Sequence, residues 1–206
     1  MRMKRVLVTF LVGLTCLQMV SAQDAVNAIR KDYADAMEKV KTMAEWEKEG
    51  EPPYPQYYQV YAIQNLPGTG KHEEVTRMYF HEVENDYGML AGRTLHFATF
   101  KYNYAAREFY EEYLYDEKGK IEFIYARNAD VDDFKGGEFR LYFKDGRLIK
   151  SMLSVYNETT KKYEQTHTGV TLPAQYGDEY KGYVHRAEKL LKLFDTIEED
   201  MYHQTD

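Results

Sequence analysis

Cysteine is almost missing from this chain, which holds a single one, Cys16, among 206 residues. Cys16 lies in an N-terminal segment that we expect to be removed, so the mature chain has no thiol for a disulfide or for nucleophilic catalysis. Many small exported proteins depend on disulfides, and this one must instead be stabilised by a packed core. A chain of this length can bury enough surface to form one.

Positive charge is also scarce, with 27 lysine and arginine residues against 34 aspartate and glutamate residues and a net charge of −7. Removal of Arg2, Lys4 and Arg5 with the N-terminal segment would lower the net charge of the mature chain to −10. An acidic chain without a basic stripe argues against binding to nucleic acid or to an anionic membrane surface.

The first 22 residues are typical of a secretory signal peptide. A basic start precedes the apolar stretch 6–17, and the small residues 20–22 predict cleavage between Ala22 and Gln23. The apolar stretch is shorter than the about 20 residues that span a bilayer, and no later segment comes closer. We therefore expect an exported protein in the periplasm or outside the cell, and the lack of cysteine favours a bacterial envelope. Attachment of a lipid to Cys16 is an alternative, although the residues before it match such sites poorly.

The mature chain predicts a single α+β domain over residues 23–206. Apolar residues at helical spacing predict an amphipathic helix over 24–49 and another over 179–202. Between them, the period changes to two and predicts an antiparallel meander of six or seven strands over 57–167. The stripe of the last helix is explained by docking on a sheet or on the first helix, and a coiled coil is the alternative.

Two hairpins predict strand register. Gly119 in a three-residue loop and the Asp145-Gly146 turn each predict a hairpin. Because register follows the buried face, the expected pairs are Tyr115 with Ile121, Tyr113 with Phe123, Phe143 with Leu148 and Phe139 with Met152.

Tyrosine is the compositional anomaly, with 20 residues against 10 phenylalanines and one tryptophan. The predicted strands carry aromatic residues on both faces, whereas a meander with one hydrated face should be polar there. We hypothesise that the helices cover one face and that the other is a partly hydrated aromatic surface. The alternative is that tyrosine serves only as a strand former. One face is expected to hold Tyr110, Leu114, Ile124, Tyr142, Ile149 and Leu153, and in the third strand His96 shares a face with Phe100, Tyr102 and Tyr104.

No pattern of catalytic or metal-ligating residues stands out. His185 and Glu188 lie one helical turn apart, and we interpret them as a hydrated helix surface. Asp130, Asp132 and Asp133 resemble the start of a calcium loop but lack its closing glutamate. We predict no catalytic residue, no metal site and no cofactor.

Three functions remain as hypotheses. The first is an exported, non-enzymatic binding protein whose aromatic face takes a protein, a glycan or an apolar small molecule. The second is a periplasmic carrier of a lipid or other apolar ligand, which requires a closed dry cavity. The third is an enzyme on a cone-shaped α+β scaffold. The ligand-binding residues proposed for the first are Tyr102, Tyr104, Tyr110, Tyr113 and Tyr142.

Overall fold

The computed structural model describes the backbone of residues 3–128 and 136–202 and the side chains of residues 22–128 and 136–200. The acidic loop predicted at Asp130, Asp132 and Asp133 lies outside these residues, as do the side chains of the signal-peptide segment up to Ser21. The elements are, in order, α1 (Met3–Glu49), β1 (Tyr58–Leu66), β2 (Gly70–Glu84), β3 (Leu90–Tyr104), β4 (Arg107–Tyr115), β5 (Ile121–Arg127), β6 (Gly137–Lys144), β7 (Arg147–Asn157), β8 (Lys162–Gly169), a 3₁₀ helix (Ala174–Tyr176) and α2 (Gly177–Tyr202).

The strands form one antiparallel sheet of eight strands in chain order, which confirms the α+β class and the meander. The predicted number of six or seven strands is wrong. Residues 95–115 form two strands, β3 and β4, joined by a turn at Ala105 and Ala106. Ala105 takes a left-handed backbone conformation (φ 53°), which alanine rarely adopts, so the turn carries none of the usual glycine or asparagine signals.

The helix α1 packs on one face of the sheet. Its apolar stripe has the predicted helical spacing, and Val26, Ile29 and Ala36 are buried. The helix continues toward the N-terminus beyond the predicted start at residue 24. The cluster formed with the sheet contains Tyr79, Phe97, Leu114, Phe123 and Tyr142, with Tyr33, Met37, Val40 and Met43 of the helix packed against it.

The helix α2 packs on the opposite face, so the expectation that both helices cover one face is wrong. Its stripe follows the predicted spacing and packs on the sheet rather than in a coiled coil. Phe194 is 1% exposed and contacts Tyr58 and Phe80 through ring pairs. The stripe residues in this cluster are Tyr180, Tyr183, Ala187, Leu190, Phe194 and Ile197.

β-Bulges change the register that alternation predicts. The three-residue loop with left-handed Gly119 (φ 73°) and the pair Tyr115–Ile121 are confirmed. The next predicted pair is wrong, because Tyr113 lies opposite Ile124 rather than Phe123. An extra residue in β5 shifts the ladder by one position and moves Phe123 to the α1 face.

The second hairpin behaves in the same way. Phe143 pairs with Leu148 as predicted, but Phe139 pairs with Leu153 rather than Met152, because an extra residue follows Leu148. The predicted grouping of strand residues by face is therefore wrong. Leu114, Tyr142 and Ile149 lie toward α1, whereas Ile124 and Leu153 lie toward α2.

No helix in the described part of the chain combines the length and apolar character that crossing a bilayer requires.

Candidate functional site: a cavity between α1 and the sheet

A two-lobed cavity opens between α1 and the middle of the sheet. Its lobes measure about 510 and 250 Å³ and share the side chains of Tyr33 and Arg140. The larger volume falls in the range of small-molecule sites, and the smaller lies just below it. The larger lobe is lined by Tyr33, Lys101, Glu108, Phe109, Tyr110, Glu112, Tyr125, Arg127 and Arg140, and the smaller lobe by Arg30, Tyr33, Phe123, Arg140 and Tyr142.

Glu112 lines the larger lobe and is 3% exposed. It projects from β4 toward α1, while its neighbour Glu111 projects toward α2, because successive strand residues point to opposite faces. The Tyr33 hydroxyl of α1 donates to Glu112 Oε2 at 2.5 Å, and Tyr110 hydrogen-bonds to the same carboxylate. The helix and the sheet are thus joined through a buried acid.

Burial sets the protonation of these groups. It raises the pKa of Glu112 above its ordinary value, and the hydroxyls of Tyr33 and Tyr110 together with Arg140 and Arg127 act in the opposite direction. Burial and the nearby carboxylate raise the pKa of both tyrosines. Their hydroxyls therefore remain protonated and act as hydrogen-bond donors at neutral pH.

Four cationic side chains line the cavity. Arg30 is held by uncharged atoms, with its Nε 3.4 Å from the Tyr142 hydroxyl and its guanidinium 5.6 Å from the centre of that ring. Arg140 lies 5.4 Å from the centre of the Tyr125 ring and 3.9 Å from a carboxylate oxygen of Glu138. The lining contains four cations and two carboxylates in all, of which Lys101 and Glu108 form an ion pair at 3.3 Å.

A second buried charge cluster lies on the α2 face, and its members contact one another. Glu111 is 1% exposed, accepts a hydrogen bond from the Tyr113 hydroxyl and pairs with Arg186 of α2 at 3.1 Å. The Arg186 guanidinium also stacks at 4.4 Å on the Phe100 ring and at 5.2 Å on the Tyr102 ring. These groups satisfy one another's charge and hydrogen-bonding requirements. We therefore assign them a structural role in packing α2 on the sheet and no role in ligand binding.

The five tyrosines proposed from the sequence do not come together. Tyr110 and Tyr142 line the cavity beneath α1. Tyr113 is fully buried beneath α2, and Tyr102 stacks on Phe109 at 4.7 Å and lies under Arg186 on the same side. Tyr104 is half exposed at the end of β3. The set is divided because a helix covers each face.

The sequence pattern does not predict that Arg30, Tyr33, Glu112 and Arg140 belong to one site. Helical spacing predicts Arg30 on the hydrated side of the first helix, and strand alternation predicts Glu112 and Arg140 as polar residues of a mixed sheet face. A signal was present in the strand itself, where Glu111 and Glu112 stand amid aromatic residues that need burial. Their convergence with α1 depends on packing that spacing along the chain does not encode.

Other arrangements of reactive groups have structural explanations. Ser151 and His167 approach to 3.3 Å, but Ser151 is fully buried and its hydroxyl lies 2.8 Å from the Thr171 carbonyl oxygen. The exposed His185 and Glu188 lie 3.8 Å apart on α2, consistent with a hydrated helix surface. Within the described residues, no three histidine, cysteine or acidic side chains are placed to hold a metal ion.

Comparison with known proteins gives no assignment: no family model, no curated protein and no solved structure matches this chain.

Proposed function

We propose that this chain is an exported binding protein that holds a ligand with an anionic group in the cavity between α1 and the sheet. The proposal is based on the excess of positive charge in the lining of this cavity. Four cations and two carboxylates line the cavity of a protein whose net charge is −7. A local surplus of positive charge in a concave site favours anions and attracts them from solution. Export follows from the signal-peptide pattern and is part of the proposal.

The lining favours an acidic glycan over a protein or an apolar small molecule. Arginine recognises planar carboxylates through paired hydrogen bonds, and Arg30 and Arg140 face the two lobes. Tyrosine supplies ring surface and hydroxyls in one side chain, which suits a ligand that is partly hydrated. A carrier of apolar ligands requires an enclosed apolar cavity, and these two lobes are open and lined by charged and tyrosine side chains.

Titration calorimetry tests the proposal with three anionic probes: trigalacturonate, 4-hydroxybenzoate and inorganic phosphate. Galactotriose serves as the uncharged counterpart of trigalacturonate. We expect trigalacturonate to bind at least tenfold more tightly than galactotriose. The substitutions Arg30→Gln and Arg140→Gln should each weaken binding about 10-fold to 100-fold, since hydrogen bonds to charged groups contribute about 1.5–3 kcal/mol.

The matched control is Arg147→Gln, because Arg147 is exposed in the β6–β7 hairpin away from the cavity. Its affinity for trigalacturonate should equal that of the wild type. Equal affinities for trigalacturonate and galactotriose, an equal loss in the Arg147 variant, or no binding of any anion would each contradict the proposal.

A further inference from the structure

A second cavity of about 450 Å³ lies beneath α1 and contains a histidine pair, which we define as His81 of β2 and His96 of β3. The two imidazole rings stack with centroids 4.0 Å apart and an interplanar angle of 23°. Nζ of Lys39, on α1, lies 3.0 Å from Nε2 of His81. An ammonium group can only donate, so this contact requires a neutral His81 imidazole with Nε2 as acceptor.

Two β-bulges direct side chains into this cavity. His96 is the unpaired residue of β3 where Tyr79 pairs with Phe97 and Phe80 with Leu95. Glu122 is the extra residue of β5 at the bulge described above. Both line the cavity. Bulges often re-aim a side chain beside a functional site, and here two of them serve the same cavity.

The surrounding charges do not cancel the effect of burial, which lowers the pKa of both histidines. Burial and Lys39 lower the pKa of His81, and Glu117 acts against them. Burial, His81 and Lys39 lower the pKa of His96 to about 4, and a hydrogen bond with the Tyr115 backbone acts against them. The remaining charged groups of this cavity are Asp32 and Asp35 of α1, Asp116 and Lys118 of the β4–β5 turn, and Glu122.

Glu122 changes charge in the same sense as the histidine pair. Burial, Asp116 and Asp32 raise its pKa above the ordinary value. As the pH falls, Glu122 therefore loses negative charge while the imidazoles gain positive charge beside Lys39. Acid converts a contact between a cation and a neutral ring into repulsion between cations.

We propose that the neutral histidine pair holds α1 on the sheet, and that its protonation detaches α1 and thereby releases the ligand. The detachment stands on the geometry of this cavity alone. The release of ligand rests on the proposed function, because α1 supplies Arg30 and Tyr33 to the ligand cavity.

The expected effect follows from proton linkage. When α1 leaves, His96 becomes hydrated and its pKa returns to about 6.5. The detached state then binds protons more readily, so docking loses stability as the pH falls from 6.5 toward 4. Between pH 7 and pH 5, His96 alone shifts the docking equilibrium about 20-fold toward the detached state. Glu112 acts in the opposite sense, because burial raises its pKa, and comparison with a His96 variant cancels its contribution.

Trp46 reports on α1 directly, since it is the only tryptophan of the chain and is half-buried on that helix. We expect its emission to change between pH 6.5 and 4, and hydrogen exchange of the α1 amides to accelerate over the same range. The amides of β4 and α2 should stay protected. The substitution His96→Asn should weaken the transition and move it to lower pH, because only His81 of the pair then remains to be protonated, whereas His185→Asn, at an exposed position of α2, should leave it unchanged.

A second variant, Lys39→Met, carries the test if the His96 variant does not fold, and it should move the transition to lower pH. The inference is overturned if α1 stays protected down to pH 4, if α1 and α2 lose protection together, or if the transition persists unchanged in both variants. Calorimetry with trigalacturonate at pH 7 and pH 5 tests whether detachment of α1 also releases the ligand. If α1 detaches on acidification but trigalacturonate does not bind at pH 7, the detachment of α1 stands and the proposed function is contradicted.

Discussion

Replacement of Arg186 with alanine should lower the free energy of unfolding by about 3–5 kcal/mol at pH 7, because the carboxylate of Glu111 is left buried without its cation. Glu111 is 1% exposed and its Oε1 lies 3.1 Å from the Arg186 guanidinium. The substitution also removes the cation that stacks on Phe100 and Tyr102. Urea unfolding followed by circular dichroism measures the loss, and Arg147→Ala at an exposed turn should change stability by less than about 0.5 kcal/mol.

The pH dependence identifies Glu111 as the source of this loss. Burial raises the pKa of Glu111 above its ordinary value, and Arg186 acts against it, so the substitution raises that pKa further. A carboxyl whose pKa is higher in the folded than in the unfolded state binds protons preferentially when folded. Stability then increases as the pH falls. The difference in free energy of unfolding between the Arg186→Ala variant and the wild type should therefore decrease from pH 7 to pH 5.

A double variant separates the ion pair from simple packing. Replacing both partners, as in Glu111→Leu with Arg186→Leu, should recover much of the loss, since two apolar groups leave no unpaired charge. A fall in the free energy of unfolding of less than about 1 kcal/mol in the Arg186→Ala variant, or one that does not change with pH, would contradict an ion pair between Arg186 and the buried Glu111 carboxylate.

Replacement of Phe139 with alanine should cost about 3–5 kcal/mol, as expected when a buried aromatic side chain is removed and a cavity remains. Phe139 is fully buried, and its ring lies 5.4 Å from that of Tyr176 and 5.5 Å from that of Tyr183. It therefore connects β6 to the 3₁₀ helix and to α2. Denaturant unfolding measures the effect, with an unchanged dependence on denaturant concentration.

Tyr87→Ala is the matched control, because Tyr87 is 86% exposed in the β2–β3 turn and should change stability by less than about 0.5 kcal/mol. Phe139 lies on the α2 face, so the folded Phe139 variant should bind trigalacturonate as the wild type does. Equal stability of the two variants would contradict the packing of α2 on the sheet, and loss of binding in the folded Phe139 variant would contradict the independence of the two faces.

The sequence predicts the helices and turns well, because each is determined by local chemistry. The stripe ending in Phe194 has helical spacing and packs as expected. The left-handed Gly119 supplies the conformation that its turn needs. Alternation predicts strand segments at 95–104 and 108–115 but leaves open whether the second continues the first, since an alanine held at φ 53° gives no compositional sign of a turn.

The faces of the strands could not be predicted from alternation. One extra residue at a bulge reverses the apparent alternation for the rest of the strand, which explains why Phe123 and Ile124 exchange faces relative to the prediction. The candidate site depends on this detail. Arg30 and Glu112 belong to elements that meet only through packing, so their convergence had no counterpart in the sequence pattern.

The bulge at His96 has a consequence for how this protein can change over evolution. A residue that has no partner across the ladder can be deleted without reversing any other side chain, because regular pairing simply resumes on both sides. Deletion of His96 would keep Leu95 toward α2 and Phe97 toward α1, whereas deletion of either of these neighbours would leave His96 to take its place in the core. His96 is thus a separable addition to the strand, which a single deletion would remove while the core stays intact.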